Sequence, residues 1–181
     1  MARQVVLLRG INLGAANRIA MPELRAALTA AGHGNVRTYV QSGNVVLDAE
    51  QTADELAAAT ARLLADEFGL KVQVVVRTAD ELGEVVARNP FPEEAAANPK
   101  ALQVTFRAAA VEPEEVATLR ERASASEKVA GAGRELYSWH PDGIARSKLA
   151  LAITPPNTAA TTRNWKTVTT LLEMATDADS A

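Results

Sequence analysis

Within the first 77 residues the hydrophobic period runs strand, helix, strand, strand, helix, strand, an order that few architectures accept. The apolar run Val5–Leu8 opens it and stops abruptly at Arg9-Gly10-Ile11-Asn12. A run of this kind, bounded by polar residues, reads as a strand buried on both faces and therefore central in its sheet. Pro22 suits a first helical turn, with Met21, Leu24, Leu28 and Ala31 at helical spacing and Gly32 and Gly34 to end it. Residues 35–41 alternate, Val36, Thr38 and Val40 against Arg37, Tyr39 and Gln41, and Ser42-Gly43-Asn44 turns the chain back into Val45-Val46-Leu47. Thr52 and Glu55 form a capping box for a helix carrying Leu56, Ala59, Leu63 and Leu64. The strand Lys71–Arg77 then turns Val72, Val74 and Val76 inward.

The second half nearly repeats the first. Thr78 and Glu81 make another capping box, before a helix with Leu82, Val85 and Val86. The stretch 89–99 holds three prolines and reads as a linker. Leu102, Val104 and Phe106 alternate with Gln103, Thr105 and Arg107 as a strand, and Pro113 opens a helix with Val116 and Leu119. A hairpin is expected over 128–131 and 135–140, then a helix over Ile144–Ile153, and after Pro155-Pro156 a last helix over 161–175. The expected fold is α+β: two tandem ferredoxin-like (alpha-beta plait) subdomains, 1–79 and 80–181, with antiparallel sheets and the C-terminal helix.

Sheets of this type carry helices on one face and leave the other open. The open faces would present Arg37, Tyr39, Gln41, Lys71, Gln73 and Arg77, and then Gln103, Thr105 and Arg107. These are either ordinary solvated strand positions or the two sides of a basic groove for a single strand of nucleic acid.

The chain has no cysteine, which removes disulfides, thiolate metal sites and cysteine nucleophiles. No apolar run approaches the roughly 20 residues of a membrane span, and Val5–Leu8 is too short for a signal-peptide core. A cytoplasmic protein is expected, with no membrane partner. A net charge of −3 argues against broad nucleic-acid binding. Residues 134–170, however, hold five cations, Arg134, Arg146, Lys148, Arg163 and Lys166, against only Glu135 and Asp142.

Three groups of residues could carry chemistry. Thr161 reads as the cap of a helix whose first turn holds Arg163 and Asn164, a corner suited to a phosphate or carboxylate. Gly143-Ile144-Ala145-Arg146-Ser147-Lys148 lacks the spacing of a phosphate-binding loop, yet Ser147 and Lys148 could join an anion pocket. Arg9, Asn12, Gln41, Ser42 and Asn44 gather at the rim of the first sheet, a donor-rich set without a carboxylate. Turn chemistry accounts for these asparagines equally well, and Arg163 serves an interface ion pair as readily as a ligand. His33 and His140 read as surface or turn residues, no Ser-His-Asp set emerges, and neither metal nor cofactor ligands gather.

Several blocks resemble the bacterial family catalogued as domain of unknown function 1697 (DUF1697). They are Leu8-Arg9-Gly10-Ile11-Asn12, Met21-Pro22-Glu23-Leu24, Val36 to Val45, Pro141 to Leu149, and Thr162 to Val168. The resemblance implies two ferredoxin-like subdomains in one chain, and it implies no activity. The expectation for function is a module binding an anionic ligand between subdomains: a phosphorylated small molecule, a nucleotide or a short single strand. The alternatives are motif residues that only lock subdomains together, or an enzyme on a phosphorylated substrate.

Overall fold

The computed structural model describes residues 1–155 and 158–177. The chain forms two compact units, Met1–Gly83 with the stretch from Thr170 onward, and Glu84–Thr169.

The first unit contains β1 (Ala2–Leu8), α1 (Met21–Ala30), β2 (Gly34–Tyr39), β3 (Asn44–Ala49), α2 (Ala53–Phe68) and β4 (Val74–Thr78). Its sheet is antiparallel in the order β2-β3-β1-β4, so β1 is central, as its apolar run requires. The α2 cap is the one the sequence predicts: Thr52 Oγ1 accepts from Glu55 N, and Glu55 Oε2 accepts from Thr52 N at 2.9 Å. Gly69, left-handed at φ 66°, closes that helix. Val6, Leu8, Val45 and Leu47 pack with Leu24, Leu28, Leu56 and Leu64 into one apolar core.

The opposite face is not open. Val5, Leu7 and Val46 are fully buried, Val75 nearly so, and Arg77, paired with Val5, lies buried among them. Burying a Val or Leu side chain contributes roughly 1.5–3 kcal/mol, so a face carrying four of them is covered rather than solvated. The expected basic groove on the first sheet therefore does not exist. Arg37, one of its expected walls, donates to the Met174 carbonyl, and Arg77 to its neighbour Val76 O at 2.9 Å. Val40 also departs from the alternating pattern. β2 ends at Tyr39, and Val40 is half exposed at φ 50° rather than facing the core.

The second unit contains the end of α3 (Ala79–Ala87), which begins in the first unit, then α4 (Pro92–Ala97), β5 (Leu102–Arg107), α5 (Pro113–Arg120), β6 (Lys128–Ala132), β7 (Glu135–Trp139), α6 (Lys148–Ile153) and β8 (Ala160–Asn164). α7 (Trp165–Thr176) ends the described chain. The sheet order β6-β7-β5-β8 repeats that of the first unit strand for strand. Val116, Leu119, Val129, Leu136, Leu149 and Ile153 form its helix-side core.

Three expectations change here. The linker 89–99 contains the helix α4, entered through a turn in which Asn89 Oδ1 accepts from Phe91 N at 2.9 Å. The helix expected from Ile144 begins only at Lys148, because Ser147 caps it by accepting from Ala150 N at 2.9 Å. The terminal helix expected over 161–175 begins at Trp165, and the residues before it form β8, paired antiparallel with β5. The β-branched pair Thr161-Thr162 serves a strand better than a helix cap. The strand completes the β-α-β-β-α-β set that the sequence left one element short. Gln103 and Thr105 pair with Ser138 and Leu136 and so lie on the helix side, not on an open face; the second face carries Val104, Phe106 and Tyr137, all buried, and is not a solvated groove either.

Candidate functional site

The rim of the first unit is held together by its own amides. Asn12, at φ 57°, donates through Nδ2 to Ile19 O at 3.0 Å and Gln41 O at 2.7 Å, and its Oδ1 accepts from Ile19 N. One side chain thus staples the 10–20 loop to the hairpin. Asn44 is fully buried and donates to Tyr39 O and Ser42 Oγ, both at 3.1 Å. Gly43 between them sits at φ 75°, where an added Cβ would lie 2.7 Å from Leu8 Cβ, so neither the conformation nor the space admits a side chain. Arg9 anchors its backbone to Gln73 O at 2.9 Å. These residues do come together as expected, but the asparagine amides are spent on backbone carbonyls.

The second unit arranges its polar residues differently. A cleft of about 720 Å³ lies between the end of α5 and the turn that leads into α6. The α5 end and following loop supply Arg122, Ser124 and Glu127, and the turn supplies Asp142, Arg146, Ser147 and Lys148. Arg122, Arg146 and Lys148 are exposed, and among the described residues no side chain engages them. Asp142 accepts from Ser126 Oγ at 3.0 Å.

The floor of the cleft is a buried polar cluster. Ser147 Oγ donates to Glu127 Oε1 at 2.5 Å, His140 Nδ1 lies 2.7 Å from the same oxygen, and Ser124 N donates to Glu127 Oε2 at 2.9 Å. Burial opposes the charge on Glu127, but the Ser124 N–H, the Ser147 hydroxyl and the His140 ring outweigh it and hold the carboxyl down at about 2. His140 is 1% exposed, not a surface residue, and its Nε2 meets Ser138 Oγ at 2.9 Å. His33 is buried as well, and burial lowers its pKa.

Ser147 and Lys148 thus line the cleft, whereas Arg163 and Asn164 do not. Arg163 sits on β8 opposite Val104 and donates to Thr161 Oγ1 at 2.7 Å and Thr162 O at 2.8 Å. Burial pulls its guanidinium down to about 10. Asn164 Oδ1 accepts from Thr167 N at 2.9 Å and so caps α7. The sequence reading missed Arg122, Ser124, Glu127 and His140. For His140 a signal existed: Leu136, Ser138 and His140 share one strand face in period two, and Leu136 anchors that face in the core.

A family model described as "Protein of unknown function (DUF1697)" matches residues 1–137. No curated protein matches. A solved structure of a conserved bacterial protein from Streptococcus pneumoniae superposes with a TM-score of 0.76 at 20% identity, over 96% of this chain and 98% of that one. At that identity the likeness speaks for the fold.

Proposed function

The chain belongs to the DUF1697 family, whose description names no activity, and from its own residues we propose that the second unit binds a small phosphorylated ligand in the cleft between α5 and α6. The observation that carries this reading is the convergence of Arg122, Arg146 and Lys148 on one cleft. Guanidinium forks match the oxygens of a phosphate two at a time, and the ammonium adds charge without geometric demand. Glu127 detracts little, because its oxygens face Ser124, Ser147 and His140.

A phosphorylated small molecule fits better than a nucleic-acid strand. The lining contains no aromatic side chain on which a base could stack, and Glu121 and Asp142 interrupt the positive surface that a phosphate backbone would follow.

The test is a thermal-shift series with inorganic phosphate, pyrophosphate, a sugar phosphate and a short single-stranded RNA, on the parent and on the Arg146→Ala/Lys148→Ala double variant. A ligand present at ~100 times its dissociation constant adds about 2.7 kcal/mol of stability. The parent should be stabilised by a phosphate compound, and the double variant should melt like the ligand-free parent whatever is added. Stabilisation that survives in the double variant, or no response to any of the four probes, would refute the proposal.

A further inference from the structure

Strand β7 sends Ser138 and His140 from the same face, and both are 1% exposed. The histidine stands between two oxygens: Ser138 Oγ at 2.9 Å from Nε2, and Glu127 Oε1 at 2.7 Å from Nδ1. Glu127 is ionised at neutral pH, so the ring proton on that side belongs to Nδ1 and points at the carboxylate. The Ser147 hydroxyl donates to the same carboxylate oxygen, accepts from Ala150 N and lies 3.2 Å from Nδ1, on the side of the ring away from Ser138. With a proton on Nδ1 alone, Nε2 offers its lone pair to the hydroxyl that faces it, that of Ser138.

A hydroxyl and a fixed carboxylate on opposite nitrogens of one imidazole form the arrangement that turns a serine into a nucleophile. We propose that Ser138 is such a nucleophile, with His140 as its base and Glu127 orienting the ring, and that it accepts the acyl group of a small ester. This inference rests on the hydrogen-bonded order of the three side chains and stands apart from the phosphate reading of the cleft.

A cavity of about 80 Å³ defines the substrate class. Ser138, His140, Thr105, Thr162, Ile144 and Ile153 are among its lining residues. A space of that size takes a small acyl group more readily than a long acyl chain. Ile144 lines the cavity and is also 51% exposed, so on that side the cavity reaches towards the protein surface. Thr105 Oγ1 and Thr162 Oγ1 lie 2.8 Å apart in the lining. One hydroxyl donates to the other, and the second O–H remains to meet an oxyanion.

In the reaction, Ser138 Oγ attacks the ester carbonyl carbon while its proton passes to His140 Nε2. The tetrahedral adduct breaks its carbon–oxygen bond to the alcohol, which leaves with that proton. Water, deprotonated by the same nitrogen, then cleaves the acyl-serine, releasing the carboxylic acid and restoring the hydroxyl.

The experiment treats the full chain with p-nitrophenyl acetate, follows p-nitrophenol release, and maps acetylated peptides by mass spectrometry. Acetyl is expected on Ser138 in the parent and absent in Ser138→Ala, with release slowed roughly 100-fold or more in His140→Gln and in Glu127→Gln. The p-nitrophenyl ester of a long-chain acid should react far more slowly than the acetate. Melting curves of each variant separate lost chemistry from lost folding. Absence of acetyl on Ser138 in the parent overturns the proposal without reference to any variant, and so does undiminished acetylation in a folded His140→Gln.

Discussion

The two units have the same strand order, β2-β3-β1-β4 and β6-β7-β5-β8, but they spend their polar side chains differently. In the first, the Asn12 and Asn44 amides go to carbonyls at Ile19, Gln41 and Tyr39, which fixes a loop and a hairpin. In the second, backbone needs around the cleft are met by Ser147 and by Glu127, whose Oε2 takes the Ser124 N–H. Three cations there remain exposed above a buried acid and a buried histidine. The plait makes a rim in either case. Whether the rim can bind depends on how many of its donors the chain uses on itself.

The most damaging way to break this contrast is Glu127→Ala, which strips the acceptor from Ser124 N, Ser147 and His140. Orphaned buried donors cost about 1–3 kcal/mol each, so a loss on the order of 3 kcal/mol is expected in a denaturant melt. The pH dependence has a definite sign. The Glu127 carboxyl is depressed from an ordinary 4.5 to about 2, so its contribution is present above pH 4.5 and lost as pH falls towards 2. The stability gap between parent and variant should close over that window. A gap independent of pH would show that the carboxylate charge does not matter.

Asn12→Ala comes next. It removes three hydrogen bonds from the first rim and should cost roughly 2 kcal/mol, while leaving phosphate affinity at the second cleft unchanged. Reduced affinity in this variant would return the first rim to the binding site. The smallest effect is expected at Val40, a β-branched residue held at φ 50°. Val40→Asn suits that conformation better and should stabilise the first unit by up to about 1 kcal/mol, readable as a small rise in Tm.

Local signals were legible in the sequence wherever the cause was local. The capping box at Thr52 and Glu55, the proline at the start of α1 and the alternation in β5 each depend on residues a few positions apart. β8 was hidden because Thr161-Thr162-Arg163 offers no apolar alternation, and a threonine before a helix imitates a cap. The covered second face of the first sheet was signalled by the unbroken run of β1, which alternation in β2 and β4 seemed to contradict. Of the candidate site, Ser147 and Lys148 could be found from the excess of cations around them. The period-two face of Leu136, Ser138 and His140 signals a buried histidine but not its partner: Glu127 lies 13 residues away and meets it only because the β6–β7 hairpin folds one onto the other. Arg122 joins them from the end of α5, by topology alone.

The central claim, that the second rim binds and the first does not, is tested most directly by a residue-resolved NMR titration of the full chain with inorganic pyrophosphate. The account predicts that shifts cluster at Arg122, Ser124 and residues 142–148, while Asn12, Gln41 and Asn44 stay still. Shifts centred on Arg9, Asn12 and Asn44, or none at any concentration that stabilises the protein, would contradict it.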